Sequence, residues 1–215
     1  MRDGLEEWQT LSIQRAGAVL RDPLRDLLLF DRLLARIVLT FNEPALAQIR
    51  LAWWREELTR EREGLVAPPD PLLASLLETW PSRGPVLASL ADGWETLLPG
   101  GEDSRFEAVG LAQARGKAFA ALAEIGGSAI AASDAARHGA VWAHAELVLI
   151  GGGEQDELLP AGLSAAANLP NLPVGLRPLA MIGGLSRRSL KRGGKPLFGD
   201  RLSPFAALRL GIFGT

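Results

Sequence analysis

The stretch LFDRLLARIVLTFNEPALAQIRLAWWREEL, residues 29–58, decides the fold of this chain. Apolar residues recur in it three and four positions apart, which is the spacing of one face of an α-helix. Asn42 and Pro44 interrupt the pattern, and these residue types are favoured just before a helix and in its first turn. The stretch therefore predicts two helices joined by a short break, with two adjacent tryptophans, Trp53 and Trp54, on the second helix.

Helical spacing continues along the rest of the 215-residue chain, and we find no segment with the alternation typical of a β-strand. Asp22 followed by Pro23 predicts the start of the second helix, with Asp22 as its N-terminal cap. Two Ala-rich segments, 104–125 and 128–150, are expected to be buried central helices because small residues allow helices to approach closely. The sequence thus predicts one all-α domain, residues 1–215, with helices at 5–20, 23–40, 43–63, 71–80, 85–97, 104–125, 128–150, 154–167, 175–190 and 204–210.

The composition excludes several classes of site. The chain has no cysteine, which removes disulfides, zinc–thiolate sites and thiol nucleophiles. Its net charge of -2 argues against a nucleic-acid partner. The N-terminus lacks the basic and apolar regions of a signal peptide, and no apolar run reaches the ~18 residues of a membrane span. We therefore expect a soluble, cytoplasmic protein without bound nucleic acid.

The C-terminal segment, residues 176–215, is basic. It contains eight Lys and Arg residues and a single acidic residue, Asp200. Such a segment can contact an anionic membrane surface or a diphosphate, and it can also be an ordinary solvated helix face. Peripheral contact with the inner membrane through this segment is therefore left open.

Several residues of the opening stretch match a pattern known from one protein family. Head-to-head prenyltransferases have a helix that reads roughly F-x-R-x-x-D-D-x-x-D, a break, and a helix that reads L-x-x-W-R-x-E-L. The chain resembles this squalene/phytoene synthase family most strongly over residues 29–58, more weakly over 128–160 and faintly over 173–192. The resemblance implies an isoprenoid (terpenoid) synthase-like bundle of helices around a central cavity. The matching residues are Phe30, Arg32, Leu51, Trp54, Arg55, Glu57 and Leu58.

The acidic residues of the family pattern are missing. Ala35, Arg36 and Leu39 stand where the first metal-binding acids would be, and Leu149 and Gly153 stand where the second set would fall. Enzymes of the family ionise a prenyl diphosphate with the help of Mg²⁺, which prefers carboxylate oxygens. Two aspartates four residues apart on one helix face supply such oxygens. Loss of both motifs predicts no catalytic residue, no metal-binding residue and no cofactor.

Three functional alternatives remain open from the sequence. The first, which the lost motifs favour, is a non-catalytic family member similar to the mitochondrial respiratory complex I assembly factor branch, which binds a membrane-complex assembly partner or an isoprenoid-like lipid. The second is an active Mg²⁺-dependent prenyltransferase that condenses two prenyl diphosphates to a phytoene- or squalene-like product. It would need a metal site rebuilt from Glu146, Glu154 or Asp156. The third is a helical protein that dimerises through tryptophan-rich surfaces.

Arginines around the helix break are the candidate contacts for an isoprenoid or phospholipid head group. A guanidinium group keeps its charge when partly buried and binds phosphate through two parallel hydrogen bonds. A competing interpretation pairs Arg55 with carboxylates on the helix surface and leaves Arg36 in solvent. The candidate ligand-binding residues are Arg32, Arg36, Arg50, Trp54 and Arg55.

Overall fold

A computed structural model of the chain describes residues 5–40, 43–61, 68, 70–98, 108–151, 155–200 and 202–213. Within these ranges the regular structure is entirely helical, which confirms the predicted all-α class. No helix in these ranges is long and apolar enough to cross a membrane. The helices are α1 (Glu7–Arg15), α2 (Ala18–Thr40), α3 (Pro44–Thr59), α4 (Pro71–Thr79), α5 (Gly84–Glu95), α6 (Ala108–Ile125), α7 (Ala132–Ile150), α8 (Gln155–Ala166), α9 (Arg177–Lys191) and α10 (Ser203–Phe213).

The boundary between α1 and α2 differs from the prediction, and the expected capping role of Asp22 is wrong. α2 begins at Ala18, so Pro23 lies inside the helix. The Asp22 carboxylate instead accepts a hydrogen bond from Arg25 at 2.7 Å on the helix surface. A proline inside a helix removes one backbone hydrogen bond. Burial of the apolar side chains on both sides of it, Leu20 and Leu24, stabilises the continuous helix.

The starts of α3 and α4 follow ordinary helix chemistry. Glu43 precedes α3 and Pro44 is in its first turn, whereas Asn42, the expected cap, lies outside the described residues. Asp70 caps α4, because its carboxylate accepts hydrogen bonds from the backbone N–H groups of Leu72 and Leu73 at 2.8 and 3.1 Å. The start of α4, residues 70–72, lies on the wall of the cavity described below.

The two Ala-rich helices, α6 and α7, make the most extensive helix–helix contact in the described chain. Their backbones approach so closely that a Cβ atom at Gly139 would lie 2.3 Å from the backbone oxygen of Arg115. Ala118 and Ala135 are fully buried beside this contact. The expectation that these two helices are central is therefore confirmed.

The remaining helices pack around this central pair. α5 packs between α3 and α6, and α9 packs on α7. α1 and α10 both contact α9, while α2 contacts α1, α4, α5 and α6. This arrangement leaves a cavity beside α2 and α7.

Candidate functional site

A cavity of about 760 Å³ lies beside α2 and α7, and parts of α1, the start of α4 and the segment after α9 complete its wall. This volume is in the range of small-molecule binding sites. Its wall mixes apolar and charged side chains. The apolar ones include Ala35, Leu39, Leu72, Trp142, Leu149 and Leu197, and the charged ones include Glu6, Asp31, Arg32, Arg36, Asp70 and Glu146.

Apolar side chains are exposed where α2 and α7 border the cavity. Leu39 on α2 is 50% exposed and Leu149 on α7 is 36% exposed. Both residues line the cavity wall. An apolar ligand that covers these two side chains would remove their apolar surface from water, which favours binding.

A buried ion cluster borders the cavity, and we call it the Arg115 cluster. Arg115 of α6 is completely buried, and its Nε and Nη2 donate hydrogen bonds to the two carboxylate oxygens of Asp31 on α2, at 2.9 and 2.6 Å. The same Nη2 donates to Glu146 of α7 at 2.9 Å. The indole N–H of Trp94 donates to Asp31 at 3.1 Å, and the guanidinium carbon lies 3.7 Å from the ring centroid of Trp142. The cluster joins four helices beside the cavity.

Inside the cluster one guanidinium group faces two carboxyl groups. Burial lowers the pKa of Arg115, but the nearby charges of Asp31 and Glu146 raise it by more, so its pKa lies above the usual value. Burial raises the pKa of Glu146, and Asp31 adds to this rise while Arg115 opposes it. Asp31 and Glu146 both reach the cavity wall. A ligand would therefore meet two carboxyl groups that share the positive charge of one arginine.

The residues present do not fit the Mg²⁺ ions that the family resemblance implies. Mg²⁺ binds through carboxylate oxygens, and Arg115 competes for these here by donating hydrogen bonds to both oxygens of Asp31 and one of Glu146. Asp156 is exposed on α8, and Glu154 lies outside the described residues. In the described part of the chain, no group of three or more His, Cys, Asp and Glu side chains could hold a metal ion.

Two of the sequence-predicted contact residues lie on the cavity wall. Arg32 and Arg36 are four residues apart on α2, so they share one helix face. Arg32 lies 4.0 Å from the carboxylate of Glu6, measured between Nη1 and Oε1. Arg36 is exposed at the border of the cavity. The structure thus places both arginines on the wall of the cavity that Leu39 and Leu149 also line.

The other three predicted contact residues lie elsewhere. Arg50 is exposed on α3. Trp54 is buried, with its ring centroid 5.0 Å from that of Phe30. Arg55 donates to Asp92 of α5 at 2.8 Å and also to Glu95. Its contacts are those of the competing interpretation, in which Arg55 pairs with carboxylates on a helix surface.

A second buried polar group, His138 of α7, lies away from these arginines in the packing between α7 and α9. Its Nε2 is 2.8 Å from the backbone oxygen of Pro170. Its Nδ1 has no hydrogen-bond partner among the residues that the structure describes, and a Cβ atom at Gly183 of α9 would lie 2.3 Å from it. Burial lowers the pKa of His138 to about 4, against the opposing effect of the Pro170 contact. The imidazole is therefore neutral at pH 7 and acts as a packing residue.

Sequence reasoning did not find the Arg115 cluster. Asp31 interrupts an apolar run on α2, and Arg115 interrupts an Ala-rich helix, so each is a charge on a face that should be buried. That signal was available, although it does not say which charges pair.

No protein-family model, no curated protein and no solved structure matches the chain.

Proposed function

We propose that this protein is a non-catalytic member of the squalene/phytoene synthase family and that its cavity binds an isoprenoid-like lipid with an anionic head group. The observation that carries the proposal is the composition of the α2 wall. Arg32 and Arg36 face the same cavity as Ala35 and Leu39. Two cations beside an exposed apolar wall suit a ligand with an anionic head and an apolar tail.

The arginines on the wall, Arg32 and Arg36, suit an anionic head group by their charge. Arg115 donates hydrogen bonds to Asp31 and Glu146 and compensates one of their two charges, and Asp70 accepts two backbone hydrogen bonds from α4. Arg32 faces Glu6 at 4.0 Å, a separation that is too long for a direct hydrogen bond. A phosphate bound by Arg32 and Arg36 would form charge-assisted hydrogen bonds with them in competition with their contacts inside the protein.

The apolar part of the ligand would cover Leu39, Leu72 and Leu149. Leu39 and Leu149 are exposed in the structure, and covering apolar surface contributes roughly 25 cal/mol per Å². Trp142, whose ring is held against Arg115, would form the rigid base of this part of the site. Binding of the tail therefore needs no rearrangement of the helices.

Catalysis is not part of the proposal because the leaving group would lack its metal. Ionising a diphosphate develops several negative charges, which Mg²⁺ normally stabilises. The wall offers guanidinium groups at Arg32 and Arg36, which bind a phosphate, and carboxylates that Arg115 holds. This chemistry supports binding of an intact ligand.

The binding test is calorimetric titration of the purified protein with farnesyl diphosphate in the presence of EDTA. We expect binding of one ligand per chain, and Arg36→Ala should weaken it about tenfold or more, because a charge-assisted hydrogen bond contributes about 1.5–3 kcal/mol. The matched control is Arg50→Ala, which removes an exposed arginine on α3 outside the cavity wall and should leave the affinity unchanged. Equal affinities for all three proteins would contradict the assigned head-group site.

The catalytic alternative is tested separately. Purified protein is incubated with farnesyl and geranylgeranyl diphosphates and Mg²⁺, and an organic extract is analysed by mass spectrometry. We expect the diphosphates to be recovered unchanged. A C30 or C40 hydrocarbon that forms in proportion to the protein added would show that the protein is an enzyme.

A further inference from the structure

α10 exposes an apolar face that the rest of the described chain does not cover. Leu202, directly before the helix, is 64% exposed, and Phe205 and Leu208 on the helix are 71% and 46% exposed. These positions are three residues apart, so they lie along one side of the helix. The opposite side is also apolar: Leu210 is buried, and its methyl carbon lies 2.4 Å from the position of a Cβ atom at Gly184 of α9. A helix that is apolar on both sides is typical of a buried position.

The charged residues near this apolar face indicate which kind of surface binds to it. Residues 176–215 carry eight basic residues and only Asp200 as an acid. Asp200 is held between Arg188, at 2.9 Å, and Arg192. Lys191, Lys195 and Arg209 are exposed. Exposed basic side chains therefore lie on α10 and on the segment before it, while α1, which also contacts α10, adds the exposed Glu7. The basic side chains outnumber this acid, and their complement is an anionic surface.

We propose that α10 docks on an anionic lipid surface, with Phe205 and its two apolar neighbours in the interface between head groups and acyl chains. Interfacial helices combine an apolar face with nearby Lys and Arg residues, and their binding strength grows with the buried apolar area and with attraction to anionic lipids. α10 has both features within a few turns of chain. The proposal does not depend on a ligand in the cavity.

The start of α10 is fixed, so the face is presented rigidly. The Asp200 carboxylate accepts the backbone N–H of Leu202 at 2.8 Å while it binds Arg188 of α9. Pro196 and Leu197, a few residues earlier, line the cavity. A membrane docked on α10 would therefore lie next to the chain segment that forms one wall of the cavity.

The test is co-sedimentation of the full chain with vesicles. Phosphatidylcholine vesicles with about 30% phosphatidylserine provide the anionic surface, and pure phosphatidylcholine vesicles are the reference. We expect binding to the anionic vesicles alone, and its loss when salt is raised from about 0.1 M to 1 M, which shortens the Debye length from about 10 to 3 Å. Phe205→Ser should weaken binding about tenfold or more, since a large apolar side chain no longer leaves water.

The matched control is Val174→Ser, at a residue with the same 71% exposure on the segment before α9. Phe205→Ser and Val174→Ser are expected to have the melting temperature of the wild type, because both side chains are exposed in the free protein. Ala35→Phe, which narrows the cavity, should sediment with the vesicles like the wild type, and this separates surface docking from lipid uptake into the cavity. Equal binding to neutral and anionic vesicles, or equal binding of Phe205→Ser and Val174→Ser, would overturn the proposal.

Discussion

Replacing Arg115 by alanine should destabilise the protein far more than the same change at a surface arginine. Asp31 is only 3% exposed, so without Arg115 its negative charge is left buried and loses both charge-assisted hydrogen bonds. Removing one partner of a buried ion pair costs about 3–5 kcal/mol. In a chain of this length each kcal/mol lowers the melting temperature by about 2–4 °C. The expected decrease for Arg115→Ala is therefore about 6–20 °C, measured by thermal melting with far-UV circular dichroism.

Arg55→Ala is the control for this measurement. Arg55 also pairs with two carboxylates, Asp92 and Glu95, but its side chain is 31% exposed. A pair this accessible to water contributes about 1 kcal/mol or less, so the melting temperature should fall by about 4 °C at most. If Arg115→Ala lowers the melting temperature no more than Arg55→Ala, the reasoning about the buried cluster is refuted.

The double variant Arg115→Met with Asp31→Leu separates two causes of the lost stability, which are the unpaired buried charge of Asp31 and the loss of the hydrogen-bond geometry. Replacing both members of a buried pair by apolar residues of similar size is often nearly neutral. Glu146 then loses its counter-charge, but its side chain is 28% exposed towards the cavity, and burial already raises its pKa. The double variant should therefore regain part of the lost stability, less about 1–3 kcal/mol because the buried Trp94 N–H loses Asp31 as its acceptor. A double variant no more stable than Arg115→Ala would mean that hydrogen-bond geometry outweighs burial of the charge.

Two further predictions concern α7. In the folded protein His138 stays neutral down to its pKa of about 4, whereas in the unfolded chain a histidine binds a proton below about pH 6.5. About 3 kcal/mol of stability should therefore be lost as the pH falls from about 6.5 to about 4. Urea unfolding of wild type and His138→Gln across this range measures it, and an identical pH dependence in both would contradict the assignment. Gly139→Ala should lower the free energy of unfolding by about 1–3 kcal/mol, because its Cβ atom clashes with the Arg115 backbone. Gly175→Ala, with open space around it, should stay within about 0.5 kcal/mol of the wild type. Equal stabilities of the two variants would show that α6 and α7 can move apart.

Most helices could be predicted because their apolar spacing and their glycine and proline breaks are local properties of the sequence. The start of α2 could not be predicted from such local properties. Asp22 and Pro23 have the residue types of a helix start, but the helix already begins at Ala18. Tertiary burial of Leu20 and Leu24 outweighs the local signal, and such burial depends on helices that are distant in sequence.

The cavity contacts were only partly predictable for the same reason. Helical periodicity places Arg32 and Arg36 on one face, and the structure puts that face on the cavity wall. Arg55 pairs with a carboxylate 37 residues away, which no spacing rule reveals. The partners of Arg115 lie 84 and 31 residues away from it, so their pairing depends on how the helices pack. Local spacing thus identifies faces, and tertiary packing decides what each face meets.

Filling the cavity tests the central claim, that this space binds the apolar tail of a lipid. Ala35 is half-buried on the cavity wall, so Ala35→Phe adds a ring to the space that the tail would occupy, and Ala45→Phe adds the same ring to an exposed position on α3. The measurement is the affinity of each variant for farnesyl diphosphate by calorimetry, with melting curves to show that both are folded. We predict that Ala35→Phe weakens binding at least about tenfold and that Ala45→Phe binds like the wild type. Wild-type affinity in a folded Ala35→Phe protein would contradict the claim.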